Sequence, residues 1–64
     1  MVITVSTHAS GIVSYRIEEG GDSVMFDDIQ YPLFAEAIDR MVRPLTPEVS
    51  ESRFFEDARY ELPY

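Results

Sequence analysis

Tyr31-Pro-Leu-Phe-Ala-Glu-Ala-Ile-Asp-Arg-Met-Val-Arg43 is the stretch around which the rest of this chain must be arranged. Its apolar residues stand at 33, 34, 37, 38, 41 and 42, the i, i+3, i+4, i+7, i+8 stripe of an amphipathic helix. Pro32 suits a first helical position, where a missing N–H costs nothing. Glu36 precedes Arg40 by four residues, and Asp39 precedes Arg43 by four, both in the favourable acid-first order. Pro44 ends the run. The pattern predicts a helix over 32–43 whose stripe needs a partner surface.

The first thirty residues supply one. Residues 2–7 are β-branched and alternating, with Ile3 and Val5 on one face. His8-Ala-Ser-Gly11 reads as a turn. Residues 12–19 alternate again, with Val13, Tyr15 and Ile17 on one side. Gly20-Gly21-Asp22 is a hairpin loop. Residues 23–28 make a third short strand with Val24 and Phe26 inward. Three strands joined by short turns read as an antiparallel meander with one face on the helix and one in water. The expected class is α+β in a single small domain, 1–64.

Beyond Pro44-Leu-Thr-Pro47 the pattern divides. Thr46, Pro47 and Glu48 resemble a helix start. At helical period Phe54, Phe55, Ala58 and Leu62 share a face; at period two Phe54, Ala58, Tyr60 and Leu62 do. The expectation is a second helix near 48–61, with a fourth strand as the alternative. The expected core is Ile3, Val5, Val13, Tyr15, Ile17, Val24, Phe26, Leu33, Phe34, Ala37, Ile38 and Met41, with Phe54 or Phe55.

Composition narrows the function. A 64-residue domain buries a small core, and no cysteine reinforces it. One histidine and no cysteine leave none of the usual zinc sites, and no cofactor is expected. Twelve acids against five arginines, without lysine, give a net charge of −7. Residues 1–17 carry one arginine and no acid, so the charge sits in the remainder. That field disfavours direct binding to nucleic acid or to an anionic membrane. No apolar run is long enough to span a bilayer, and no signal peptide is recognisable. A cytoplasmic, soluble protein is expected.

Catalytic signatures are weak. His8 stands near Ser6, Thr7 and Ser10 but lacks a third orienting group, so it reads as a turn residue. Gly20-Gly21 joins two strands and does not open a helix, unlike a phosphate loop. Asp22, Asp27 and Asp28 lack the alternating oxygen ligands of a calcium loop. No enzyme activity is expected.

The acids themselves are the stronger signal. Glu18, Glu19, Asp22, Asp27 and Asp28 put five acids in eleven residues with no base among them. Glu48, Glu51, Glu56, Asp57 and Glu61 form a second set. Carboxylates about 5–7 Å apart on a helix or strand approach the phosphate spacing of a nucleic acid. Four tyrosines and four phenylalanines exceed what so small a core needs. Tyr31, Tyr60 and Tyr64 lie beside the acidic segments, and tyrosine is enriched at binding hot spots.

A very short, cysteine-free, acidic α+β chain resembles the small inhibitor proteins of bacteriophages and mobile elements, the class of anti-CRISPR proteins and other DNA mimics. The likeness covers composition and architecture along the whole chain and transfers no individual residue. It implies an inhibitor that occupies a basic, nucleic-acid-binding surface of a host protein or nucleoprotein complex. The expected partner-binding residues, read from charge, are the two acidic sets (without Glu61) with Tyr31 and Tyr60. The alternative is a regulatory or structural subunit, an antitoxin-like partner or a homodimer, that binds through apolar and aromatic surface.

Overall fold

Antiparallel pairing takes up about half of the chain in a computed structural model that describes residues 1–63. Strands β1 (Val2–His8), β2 (Val13–Glu19) and β3 (Asp22–Asp27) form the expected meander. Helix α1 follows (Pro32–Val42), then β4 (Glu48–Glu51) and β5 (Phe55–Glu61). The five strands make one sheet in the order β3-β2-β1-β5-β4. The chain is a small α+β domain with a five-stranded antiparallel sheet and one helix.

The second helix expected over 48–61 is therefore replaced by a hairpin. Helix propensity separates these residues by only a few tenths of a kcal/mol each. An uncovered β1 edge outweighs that. All seven residues of β5 pair with β1, from Val2↔Glu61 to His8↔Phe55, and β4 closes the far side through Val49↔Ala58 and Ser50↔Asp57. The register places Ala58 and Tyr60 opposite Val5 and Ile3, on the helix-covered face. Period two was thus the governing pattern, although Phe54 lies outside the strand.

Between β2 and β3 the loop is two residues long, flanked by Glu19↔Asp22. Gly20 and Gly21 take φ of 56° and 89°, the left-handed pair that a type I′ hairpin requires. The chain leaves β3 through an Asp27 turn. One carboxylate oxygen of Asp27 accepts the backbone N–H groups of Ile29 (3.0 Å) and Gln30 (2.7 Å).

Ile3, Tyr15, Ala35, Ile38, Val42 and Leu62 are buried, with Val5, Val13, Ile17, Phe26, Leu45 and Tyr60 packed around them. Of the expected core, Ile3, Tyr15 and Ile38 are buried, and Val5, Val13, Ile17 and Phe26 are half-buried against them. Val24, Leu33, Phe34, Met41, Phe54 and Phe55 are instead exposed. The helix is turned so that Ala35, Ile38 and Val42 meet the sheet, and much of its apolar stripe faces outward. Two contacts favour that rotation. Ala35 is small enough for close approach, and the Tyr15 hydroxyl donates to both carboxylate oxygens of Asp39, at 3.0 and 3.1 Å. Leu62 enters the core because its N–H donates to the Met1 carbonyl just past the end of β5.

Candidate protein-binding surface

The helix covers one face of the sheet incompletely, and the uncovered part lies beside β3. Ile17, Val24, Phe26, Tyr31, Phe34, Ala37 and Ile38, with Met25 at the rim, line a groove of about 410 Å³ between β3 and α1. Its walls are held by an aromatic network. Tyr15 stacks on Phe26 with centroids 5.3 Å apart, and Tyr31 stacks on Phe34 at 5.5 Å. Phe26 meets both Tyr31 and Phe34 edge-on. Such arrangements fix ring positions beyond what area burial alone would do. Of the residues lining the groove, Val24, Met25, Tyr31 and Phe34 remain exposed, Met25 by 67%. Exposed apolar residues are ordinary singly; several lining one groove are less so.

The edge of β3 adds backbone to this surface. Asp28 N–H donates to the Val13 carbonyl, and the two-residue turn closes on Glu19↔Asp22. Antiparallel alternation then directs the N–H and C=O of Val24 and Phe26 toward β2 and those of Ser23 and Met25 outward. The Asp27 carbonyl is taken by Tyr31 N–H. Among the described residues no strand pairs with the outer side of β3. The opposite edge differs: β4 has only four residues and carries Glu48 and Glu51 at its ends, both devices that blunt an edge.

The predicted acidic band is divided by this fold. Glu18, Glu19 and Asp22 lie at the turn end of the β2–β3 hairpin, while Asp27 and Asp28 lie at its other end, one strand length of about 17–20 Å away. Several of these acids serve the fold itself. Glu18 is ion-paired to Arg16 at 2.9 Å, Glu19 lies 3.5 Å from the Met1 α-amino group, and Asp28 accepts the Val13 N–H at 3.2 Å. Asp22 has no such tie among the described residues. Tyr31 belongs to the groove.

The second acidic set falls on the β4–β5 hairpin. Glu48 and Asp57 line the open sheet face, and Glu51 pairs directly opposite Glu56 near the turn. Like charges so placed are mildly destabilising. Asp57 accepts a hydrogen bond from Ser6, and Glu61 is paired to Arg59 at 2.6 Å. That pairing holds the Arg59 guanidinium more firmly protonated than usual. Tyr60 is half-buried on the helix side. Tyr64 lies outside the described residues.

On that open face Thr4, Ser6, Ser14, Arg16, Glu18 and Arg59, together with Met25 and Val49, line a shallow depression of about 440 Å³. Arg16 and Arg59 flank Thr4 in the register, each held by a glutamate of its own strand. His8 Nε2 lies 3.0 Å from Ser14 Oγ, a neighbour that sequence spacing did not indicate. Among the described residues no carboxylate is hydrogen-bonded to the other ring nitrogen, so the pair lacks the orienting partner of a nucleophile–base site.

Charge patterning does not reveal the groove, because its lining is apolar. The sequence pattern places Val24, Leu33 and Phe34 in the core and gives Met25 and Ile29 no role. One signal was available. Ile29, Tyr31, Leu33 and Phe34 concentrate more apolar area around one corner than a single helix stripe accepts. No family model, curated protein or solved structure matches this chain. Among the described residues, no helix is long and apolar enough to cross a membrane.

Proposed function

We propose that this chain is a small, non-catalytic protein-binding module of the cytoplasm, whose contact surface is the apolar groove between β3 and α1 together with its acidic surroundings. One observation carries the reading: of the residues that line the groove, Val24, Met25, Tyr31 and Phe34 are exposed. A 64-residue domain with so small a core gains nothing in stability from leaving these side chains in water. Their use is in a complex. Absence of cysteine suits a reducing compartment.

The second reading is the acidic inhibitor that occupies a basic, nucleic-acid-binding surface of a host protein. The net charge of −7 favours it. The two readings place the decisive residues differently. Capture of a partner from source cells on immobilised protein, compared across variants, separates them. Phe34→Ser should abolish capture under the apolar reading, whereas Glu48→Gln with Asp57→Asn should leave it intact. The reverse pattern, with capture lost in high salt, would assign the partner to the acidic faces.

A further inference from the structure

We propose, building on the protein-binding reading above, that β3 receives an extended segment of a partner protein as a sixth strand, and that this segment is apolar in its middle and basic at both ends. Three observations meet here. The outward N–H and C=O groups of Ser23 and Met25 form a short template for strand addition. The groove lies on the helix side of that edge, so side chains of an added strand opposite Val24 and Phe26 would enter it and meet Tyr31 and Phe34. Both ends of the edge are acidic, Glu19 and Asp22 at one and Asp27 and Asp28 at the other.

The charge pattern selects between occupants. A second copy of this chain paired antiparallel through β3 would set Asp22 near Asp28 of its mate at both ends of the shared ladder. A parallel pairing would set like ends together. Self-pairing in either of these registers thus brings acids against acids between molecules that each carry −7. A segment of alternating pattern, with basic residues flanking two apolar ones on the same face, meets complementary charge at both ends and apolar surface between.

The probe is a capped peptide, Arg-Thr-Val-Thr-Val-Thr-Arg, titrated into the full chain at low and physiological salt and followed by amide NMR and hydrogen exchange. The expected result is binding with new protection at the Ser23 and Met25 amides. N-methylation of the central threonine should weaken it at least tenfold, because that residue's N–H lies opposite Met25. Replacing both arginines by glutamate should weaken it at least tenfold at low salt. Phe34→Ser in the protein should do the same at either salt.

Failure separates the two readings. Binding that is lost in Phe34→Ser yet indifferent to N-methylation would overturn strand addition and leave the protein-binding groove standing. Binding indifferent to both would overturn both. No binding at millimolar peptide would overturn the added strand, as would a protein that sediments as a dimer with Ser23 and Met25 already protected.

Discussion

Tyr15 shows how much one side chain does in a core this small. It is buried on the middle of β2, stacks on Phe26 and reaches across to the helix through Asp39. Burial, and then the hydrogen bond to Asp39, raise its phenol well above the ordinary tyrosine value. The fold therefore favours the protonated form. In the unfolded chain the phenol ionises near pH 10, as a free tyrosine does. Below that pH both states hold the proton and the contribution is fully present. Above it the unfolded state binds fewer protons than the native one, so stability falls as pH rises. Tyr15→Phe should cost roughly 1–2 kcal/mol at neutral pH, since a bond to an exposed carboxylate sits at the modest end for charged acceptors. It should also flatten the alkaline decline. Urea midpoints for both proteins at neutral pH and above pH 10 check the two expectations; an equally steep alkaline loss in the variant would remove Tyr15 as its source.

At the level of elements, the helix stands where the stripe predicted it but is turned differently, and the difference is measurable. Ile38→Ala removes a buried side chain and should cost about 2–5 kcal/mol. Leu33→Ala, three-quarters exposed, should fall within about 0.5 kcal/mol. Equal costs in thermal or urea unfolding would restore the rotation read from periodicity alone. The hairpin loop gives a second contrast. Gly20→Asn should be neutral within about 0.5 kcal/mol, because asparagine tolerates a φ of 56°. Gly21→Val, with a φ of 89° to satisfy, should cost more than 1 kcal/mol in the same assay. The meander was legible because alternation and glycine turns are local signals. The β4–β5 hairpin was not, since Ala58, Glu56 and Arg59 favour helix locally and only pairing with β1 makes them a strand. The groove was half legible. The surplus of aromatics indicated an exposed surface, but which rings stay out depends on helix rotation, and that depends on the distant contact of Tyr15 with Asp39.

At the scale of the whole molecule, the proposed binding function would use two surfaces that act on different parts of binding. Apolar contact in the groove must be broken before a partner leaves, so it governs dissociation. Acids around it act before contact, through the long-range field, so they govern association. Phe34→Ser should therefore raise the dissociation rate on the order of tenfold or more while leaving association within a factor of about two. Glu19→Gln with Asp22→Asn should do the opposite, slowing association several-fold at low salt and much less at physiological salt, where the Debye length is about 8 Å. Neither change should unfold the protein, because Phe34, Glu19 and Asp22 are all exposed. Surface plasmon resonance with the captured partner, or with the arginine-flanked peptide, reads both rates for each variant at two salt concentrations. An acid variant that changes only dissociation would place those carboxylates in direct, desolvated contact with the partner. If Phe34→Ser then left both rates unchanged, the acidic surface would be the binding site itself, and the mimic reading would displace the groove.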